Sequence, residues 1–434
     1  MSGIRRRRLL FVSSRYLFPV DSGGKIRTTN ILRGMKGGAF EITLASPLPR
    51  GSAAGQPAET AEVCDRFVGW PDAPRGAHFG WTRLRYLASR LPVAVATDAS
   101  DVGRAAVARD LEGGADLVVV DFPHAGVLAP PPFPCPSVIF THNVEAEIYD
   151  RHAKRASNPV KRAIWRNQAA KMERFERELL PRFNAVIAVA DRDREFFRTR
   201  YGVADVSVIP TGVDLDYFRY HPIAEADDQE GGTVVFTGAM DWMANIDGVE
   251  YFMDEVWPVI TRARPRAKCV IVGRNPPEAL IQRARARGLA WQFTGFVDDV
   301  RPSVRDAHVY AIPLRIGGGT RIKVYEAMAM GCPLVSTRIG VEGLPVEPGR
   351  HFIQADTAAA LGDSIVDLLG SRARREQLSR AARAYVEENM SARVAARAFE
   401  EICLRALDGV RDGAGTGPAT NRRDRTVAQI KEES

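Results

Sequence analysis

Short apolar runs recur along the chain and alternate with longer segments in which charged residues follow a helical period. Continuous apolar runs of roughly four to eight residues are typical of strands buried on both faces of a parallel sheet. In the first half, they predict strands at residues 9–13, 40–45, 117–121, 138–141, 185–189 and 206–209, with a long helix at 158–183. A second set of strands is predicted at residues 233–236, 269–273, 291–294, 309–313 and 334–337. The pattern predicts an α/β fold with two doubly wound parallel sheets.

The domain organisation follows from length and local composition. A chain of 434 residues is too long for one typical hydrophobic core, so two α/β domains are expected. A polar stretch with linker composition separates the two sets of strands, and the last residues are rich in Gly, Thr, Asn and charge. The predicted division is a first domain at 1–218, a hinge at 219–232, a second domain at 233–390, a helix at 391–407 and a disordered tail at 408–434.

Composition excludes several classes of protein. Apolar residues make up 45% and charged residues 26%, as in an ordinary globular protein, and no apolar run approaches the roughly 18–20 residues that span a bilayer. The arginines at 5–8 precede an apolar stretch too short for a signal peptide. An odd number of scattered cysteines without metal spacing suits a reducing cytoplasm: Cys64, Cys135, Cys269, Cys332 and Cys403. We therefore expect a cytoplasmic protein.

The net charge of +7 comes from arginines spread along the chain. The sequence contains no recognisable nucleic-acid module and no basic stripe interleaved with aromatic residues, so nucleic acid is not an expected partner. Peripheral contact with an anionic membrane, at its inner face, is a use that this charge favours, and the arginines at 5–8 would contribute to it. A solvated basic start to the chain explains the same cluster equally well.

Residues 311–344 carry the densest candidate chemistry. A predicted strand is followed by a glycine loop, a helix that ends at Met330 before Gly331, and another strand. A helix N-terminus after a glycine loop offers free N–H groups and a positive dipole end, which together hold a phosphate. The loop and the predicted helix cap are Gly317, Gly318, Gly319 and Thr320.

Cations follow this loop directly. Arg321 and Lys323 fall on the predicted first helical turn, where the dipole disfavours positive charge unless an anion is bound. Glu326 lies three residues after Lys323 and can accept hydrogen bonds from ribose hydroxyls. The pattern favours nucleotide binding, and the competing interpretation is a capped surface helix with an ordinary Lys–Glu pair.

Glu326 and the following residues 327–333, AMAMGCP, resemble the donor-binding segment of GT-B glycosyltransferases, specifically the large retaining family 4 (glycosyl transferases group 1). Members usually carry another Glu separated from this one by seven residues, and here Gly318 stands in that place. The version GGGTRIK resembles a bacterial subgroup often linked to exopolysaccharide clusters. Residues 210–214, PTGVD, and the later Phe218 are similar to the end of the family's first domain.

This resemblance implies a GT-B fold, in which two Rossmann-like domains face each other across a cleft and a C-terminal helix crosses back to the first domain. It implies metal-independent transfer of a sugar, of the hexosyltransferase type, from a nucleotide-diphosphate donor to an acceptor hydroxyl with retention of configuration. The expected partners are a nucleotide sugar and a glycan, lipid-linked or small-molecule acceptor, without a further cofactor. Exopolysaccharide or other cell-envelope glycan synthesis is the expected setting.

In the first domain, which the family uses on the acceptor side, two segments follow predicted strands. The family places a glycine loop after the first strand against the donor phosphate and the acceptor, and a histidine later in the domain near the transferred sugar. A tight connection and a structural histidine are the alternative interpretations. The resemblance implies a catalytic role for His142 and an acceptor or phosphate role for Gly23, Gly24, Lys25, Arg27 and Glu145.

In the second domain, the family usually has an Arg and a Lys just after the first strand, and this chain has neither there. Gly238 still permits close approach of a ligand, and we expect Arg321 and Lys323 to supply the missing positive charge, with Arg274 as the next candidate. Val297 lies in the loop that meets the nucleobase in the family. Arg321 and Lys323 are therefore expected to act catalytically by stabilising the leaving group. The expected donor-binding set is Gly238, Arg274, Val297, Gly317, Gly318, Gly319, Thr320 and Glu326.

Alternatives remain at this point. Two Asp-x-Asp pairs suggest a metal-dependent enzyme, but Asp191 and Asp193 start a predicted helix, whereas Asp214 and Asp216 belong to the Gly-Val-Asp segment, so no metal site is expected. A GT-B epimerase that cleaves the nucleotide sugar is a second enzymatic possibility. The departure at Gly318 also makes a non-catalytic nucleotide-sugar-binding scaffold conceivable.

Overall fold

The structure is a computed structural model of the chain, and it describes residues 6–20, 22–49, 57–72, 85–156, 158–223, 231–316 and 321–413. The chain divides into two compact units. Unit 1 consists of Met1–Ile209 together with Ala396–Ser434, and unit 2 consists of Pro210–Ala395. Each unit is built around its own parallel sheet.

Unit 1 contains a seven-stranded sheet in the order β3-β2-β1-β4-β5-β6-β7. Leu9 and Phe11 of the first strand pack into the core on one face, and Leu10 and Val12 pack into the core on the other. Both faces are therefore covered, which explains why the strands are continuous apolar runs. The strands are β1 Arg7–Ser13, β2 Phe40–Pro47, β3 Arg66–Trp70, β4 Leu117–Asp121, β5 Ser137–Phe140, β6 Ala185–Ala188 and β7 Val206–Val208.

The helices of unit 1 begin and end at ordinary sequence signals. Asn158 caps one helix by accepting hydrogen bonds from the backbone N–H groups of Val160 and Lys161, with Pro159 at the first helical position. Gly202 ends another in the left-handed conformation, with φ of 69°. The helices before the second unit are α1 Gly23–Met35, α2 Val93–Asp98, α3 Asp101–Glu112, α4 Glu145–Arg155, α5 Pro159–Leu179 and α6 Asp191–Tyr201.

Unit 2 contains a six-stranded parallel sheet in the order β10-β9-β8-β11-β12-β13. Its strands are β8 Thr233–Thr237, β9 Lys268–Val272, β10 Trp291–Phe293, β11 Val309–Ile312, β12 Leu334–Ser336 and β13 Ile353–Gln354. Its helices are α7 Met243–Tyr251, α8 Trp257–Ala263, α9 Glu278–Ala286, α10 Arg301–Arg305, α11 Ile322–Met330, α12 Ala358–Gly370 and α13 Arg372–Asn389. A π-helical turn, Phe252–Val256, joins α7 to α8.

The strand order reverses once in each sheet. In unit 1, β1 pairs with both β2 and β4, and in unit 2, β8 pairs with both β9 and β11. Open α/β sheets bind ligands outside the carboxyl ends of their strands, at the point where the order reverses. Ser13 and Asp121 mark this point in unit 1, and Thr237 marks it in unit 2.

The last helix, α14 Ala392–Gly413, returns to unit 1. Phe399 is fully buried and meets Phe140 of β5 edge-on, with ring centroids 5.2 Å apart. Ile402, Cys403 and Leu407 enter the same core. The predicted tail begins too early, because helix continues through 408–413, and residues 414–434 lie outside the described part of the chain.

The predicted fold class, two parallel-sheet α/β domains, is confirmed. Two edge strands, β3 and β13, were not predicted, because β3 is largely accessible and β13 has only two residues. The predicted helix at 158–183 ends at Leu179, before a 3₁₀ turn at Leu180–Arg182 that contains Pro181. Within the described residues, no helix has both the length and the apolar character needed to cross a bilayer.

We expect Phe399→Ala to lower the free energy of unfolding by about 3–5 kcal/mol, because it leaves a cavity in the core of unit 1. Urea denaturation followed by far-ultraviolet circular dichroism measures this loss. Arg397→Ala, at an exposed position of the same helix, is the matched control and should change stability by less than about 0.5 kcal/mol. Equal stabilities for the two variants would contradict the packing of α14 into this core.

Candidate functional site

A cavity of about 160 Å³ lies where the strand order of unit 1 reverses. The loop after β1, the first turn of α1 and the segment after β4 form its walls. Helix α1 begins at Gly23, so Gly23 and Gly24 belong to its first turn. A Cβ on Gly24 would lie 2.6 Å from Cζ of Phe122, so only glycine allows this approach. The cavity is lined by Ser13, Ser14, Arg15, Leu17, Ser22, Gly24, Lys25, Asp121, Phe122, His124 and Glu145.

His142 follows β5 and is buried beneath this cavity rather than in its wall. Its Nε2 lies 2.9 Å from Oδ1 of Asp121, and its Nδ1 lies 3.4 Å from Nη1 of Arg27. A guanidinium can only donate, so Nδ1 accepts from Arg27 and the neutral ring carries its proton on Nε2. Burial lowers the pKa of His142, and the Asp121 hydrogen bond opposes this effect. Both ring nitrogens are therefore engaged within the protein.

The ring of Phe122 stacks on His142, with centroids 3.8 Å apart and planes 11° from parallel. Phe122 has φ of 65°, a conformation that costs energy in a bulky residue and is common at functional sites. Phe122 thus separates the histidine from the cavity. Sequence reasoning missed Phe122 and His124, although both follow a predicted strand at the switch point.

Arg27 was predicted as part of a phosphate loop, and the structure buries it within α1. Burial lowers the pKa of Arg27 to about 10, and the charge of Asp193 opposes this shift. Lys25 is the more accessible cation of this turn, and its Nζ donates to the carbonyl oxygen of Pro19 at 3.1 Å. The two cations therefore play different parts, since Arg27 positions His142 and Lys25 lines the cavity.

Glu145 lines the cavity from the start of α4 and is 7% exposed. Burial raises the pKa of Glu145 to about 7, opposed mainly by a hydrogen bond from Asn143. Below it, Glu176 accepts hydrogen bonds from the backbone N–H groups of Glu145 and Ala146 and from the hydroxyl of Tyr201. A carboxyl group poised near neutral pH in a cavity wall can accept hydrogen bonds from, or exchange protons with, hydroxyl groups.

In unit 2, Lys323 lies against the end of β8. Its Nζ donates to the carbonyl oxygen of Thr237 at 3.0 Å and to Oδ1 of Asn245 at 3.2 Å, and it lies 4.3 Å from the ring centre of Phe236. A Cβ on Gly238 would lie 3.1 Å from Nζ and 2.7 Å from Nδ2 of Asn245. The structure thus brings the predicted pair Gly238 and Lys323 together at the switch point of this sheet.

The ionisation of Lys323 and Glu326 is shifted toward neutral pH. Burial, with a contribution from Arg321, lowers the pKa of Lys323 to about 7. Burial raises the pKa of Glu326 to about 7, and the charge of Lys323 opposes this shift. Lys323 directs its hydrogen bonds to β8 and α7, and Glu326 makes no hydrogen bond with another described residue. An ordinary surface Lys–Glu pair would not show these shifts.

Arg321 occupies the N-cap of α11, which begins at Ile322, so Arg321 lies before the first turn and not on it. Arg321 has φ of 51° and is 8% exposed, and its Nη2 donates to the carbonyl oxygen of Ile339 at 3.0 Å. Burial lowers the pKa of Arg321. The predicted end at Met330 is confirmed, with Gly331 in the left-handed conformation. The predicted loop and cap, Gly317, Gly318, Gly319 and Thr320, lie outside the described residues.

The remaining predicted donor residues follow β9 and β10, at the same edge of the sheet. A Cβ on Gly273 would lie 1.9 Å from the carbonyl oxygen of Gly238, so these two turns touch. The Arg274 side chain is 60% exposed, with its Nε 3.2 Å from Oδ2 of Asp241. Val297 packs partly into the core of unit 2, beside the exposed Phe296.

Comparison with known families assigns both halves of the chain. Residues 22–217 match the model described as Glycosyltransferase Family 4, and residues 231–371 match the model described as Glycosyl transferases group 1. Together the two models cover more than half of the chain. Both segments of the chain therefore match glycosyltransferase families, family 4 in the first segment and group 1 in the second.

Among curated proteins, the chain is similar to phosphatidyl-myo-inositol mannosyltransferase of Mycobacterium leprae, with 32% identity over 197 residues. The matched region covers 44% of this chain and 51% of the relative. The chain is 29% identical over 223 residues to GDP-mannose-dependent alpha-(1-6)-phosphatidylinositol monomannoside mannosyltransferase of Mycobacterium tuberculosis, covering 47% of this chain and 57% of the relative. The chain therefore spans about half the length of the curated relatives that it matches.

Among solved structures, the chain is similar to sucrose-phosphate synthase from Thermosynechococcus elongatus, with a TM-score of 0.61 and 16% identity. The alignment covers 95% of this chain and 100% of that one. At this identity the likeness shows the GT-B fold alone.

Proposed function

We propose that the chain transfers a sugar from a nucleotide-diphosphate donor to an acceptor hydroxyl, with retention of anomeric configuration and without a metal ion. The observation that carries this proposal is the ammonium group of Lys323, held beside Gly238 at the switch point of unit 2. A cation in a partly desolvated position next to a glycine turn suits a diphosphate, because the backbone approaches closely and the charge is weakly screened.

The donor and acceptor follow from the names of the relatives. Both curated relatives are mannosyltransferases whose names include a phosphatidylinositol lipid, and one name specifies GDP-mannose. We therefore propose GDP-mannose as the first donor to test and a lipid-linked hydroxyl compound in cell-envelope glycan synthesis as the acceptor. An exopolysaccharide intermediate on a lipid carrier belongs to the same chemical class.

The side chains have distinct proposed roles. Lys323, supported by Arg321, neutralises the diphosphate as it leaves, and Glu326 accepts a hydrogen bond from a donor hydroxyl. In unit 1, Glu145 and Lys25 meet the acceptor in the cavity. His142 acts as a positioning residue, since its ring fixes Asp121 and supports Phe122. Arg274 and Val297 border the donor at the neighbouring turns.

We expect Lys323→Met to weaken GDP binding by about 30- to 100-fold, because the lost charge-assisted hydrogen bonds are worth about 2–3 kcal/mol. Isothermal titration calorimetry measures the dissociation constant. Lys268→Met is the matched control, because Lys268 is the only other lysine in Pro210–Ala395 and stands at the opposite end of a strand, where β9 begins. Unchanged affinity in Lys323→Met would remove the central support for the proposed donor site.

We expect GDP affinity to fall by up to about tenfold per pH unit between about pH 7.5 and 9, because the free ammonium of Lys323, with a pKa of about 7, is then largely deprotonated. Bound diphosphate stabilises the ammonium and raises its pKa, so binding takes up a proton. Calorimetry in buffers of different ionisation enthalpy measures that uptake. Lys323→Met should abolish the slope and Glu326→Gln should keep it. A slope that disappears only in Glu326→Gln would assign the titration to the carboxyl group.

Turnover with GDP-mannose and a lipid extract containing phosphatidylinositol tests the reaction itself. We expect a mannosylated lipid whose new linkage has the α configuration of the donor, assigned by the one-bond carbon–hydrogen coupling at the anomeric carbon. The reaction should proceed in excess EDTA. A β-linked product would contradict retention, and release of free epimerised sugar without acceptor would favour the epimerase alternative.

A further inference from the structure

Positive charge is concentrated where α4 ends and α5 begins in unit 1. Residues 151–172 contain no Asp or Glu, although acidic residues flank this stretch at Asp150 and Glu173. The cations of the stretch are Arg151, Lys154, Arg155, Lys161, Arg162, Arg166 and Lys171. Seven cations without an acidic residue in 22 positions give this stretch a strong positive charge that can attract an anionic partner.

The two helices are held together where this charge lies. The ring of Trp165 on α5 stacks on His152 of α4, with centroids 4.8 Å apart, and it also contacts Tyr149. The guanidinium of Arg162 donates two hydrogen bonds, of 3.1 and 2.9 Å, to the carbonyl oxygen of Ala156 in the connection. The end of α4 and the start of α5 are therefore joined by direct contacts, and we call residues 151–156 and 158–172 the basic end of unit 1.

Apolar side chains are exposed within the basic end. Val160 is 65% exposed and Ile164 is 38% exposed, and their spacing of four residues places them on one face of α5. Lys171 lies seven residues after Ile164 and continues the same face. Few large apolar side chains are this exposed in the described part of the chain. Two of them side by side among cations indicate a surface that contacts a partner.

Several of these cations remain available to a partner. Lys154 pairs with Asp150 at 2.6 Å, and Lys171 donates to the carbonyl oxygen of Leu87 at 2.7 Å. Arg151, Lys161 and Arg166 are exposed and form no ion pair with another described residue. The acidic residues of α5 lie toward its C-terminal end, where Glu173 pairs with Arg177 of the same helix at 2.6 Å.

We propose that the basic end of unit 1 docks on the surface of an anionic lipid bilayer, with Val160 and Ile164 entering the interface between the lipid headgroups. Aliphatic side chains surrounded by cations gain both apolar burial and electrostatic attraction at such a surface. Nucleic acid fits less well, because single strands are bound through exposed aromatic rings, and Trp165 is engaged with His152. This proposal goes beyond the proposed transferase activity and does not depend on it.

The site of contact differs from the sequence-based hypothesis, which assigned membrane attraction to the arginines at 5–8. Arg7 and Arg8 lie in β1, where the Arg8 guanidinium donates to the carbonyl oxygen of Gly113 and Arg7 approaches Asp408 at 3.6 Å. These arginines are therefore committed to contacts within unit 1. The basic end offers exposed cations and exposed apolar side chains together.

Co-sedimentation of the full chain with phospholipid vesicles tests the proposal. We expect binding to vesicles of phosphatidylcholine with about one-third phosphatidylglycerol, and at least tenfold weaker binding to phosphatidylcholine alone. The double variant Lys161→Glu/Arg166→Glu should weaken binding by at least about 30-fold, since each cation contributes about 1 kcal/mol. Val160→Ser/Ile164→Ser should weaken it by about tenfold without changing the charge.

A control variant with the same change in net charge distinguishes attraction of the basic end to the vesicles from attraction of the whole protein. Arg262→Glu/Arg285→Glu changes the net charge equally at exposed positions of unit 2 and should bind vesicles like the unaltered protein. Thermal unfolding and GDP titration of each variant show whether the fold and the donor site are intact, so failure of the donor proposal would be seen separately. The proposal is wrong if the unaltered protein does not bind anionic vesicles. It is equally wrong if the control loses as much binding as the α5 variants, or if Val160→Ser/Ile164→Ser binds unchanged.

Discussion

Both sheets are parallel, and this arrangement sets where the helices pack and where the two sites lie. Parallel strands must be joined by crossovers, so helices cover both faces and every strand delivers its carboxyl end to the same edge. The reversal of strand order beside β1 and β8 then opens that edge at one place in each unit. The cavity of unit 1 and the Lys323 site of unit 2 occupy these two places. The same need for cover explains why α14 returns to pack against β5 through Phe399.

Burial at these edges decides how the ionisable groups behave. A charged group taken out of water is costly unless hydrogen bonds replace its hydration, and otherwise its pKa moves toward the neutral form. Lys323 keeps two oxygen acceptors and Glu176 keeps three donors, yet burial still lowers the pKa of Lys323 to about 7 and raises the pKa of Glu176 to about 8. The pKa values of Lys323, Glu326 and Glu145 all lie near 7. Groups poised in this way cluster at sites that bind or transform ligands.

The cations of this protein occupy two kinds of environment, one buried and one exposed to solvent. Lys323 and Arg27 are cations largely withdrawn from solvent, each directed at specific oxygen or nitrogen atoms, and they act over a few ångströms. The basic end of unit 1 carries exposed cations whose attraction is weak individually and additive over a surface. A partner with one compact anionic group suits the first form, whereas an extended anionic surface suits the second. Composition alone, a net charge of +7, does not distinguish them.

Apolar runs and glycine signals act locally, so the sequence predicted the fold class, most of the strands and the end of α11 at Gly331. The glycosyltransferase family followed from the resemblance of residues 326–333 to a known motif. The sequence also pointed to Gly238 and Lys323, which follow strands that a doubly wound order brings together. The surroundings of His142, by contrast, depend on how distant segments fold together. Its partners Asp121 and Arg27 are 21 and 115 residues away, and they meet through strand order and helix packing. The left-handed Arg321, the cover provided by Phe122 and the extension of α14 to Gly413 likewise depend on packing between distant segments, which no local pattern encodes.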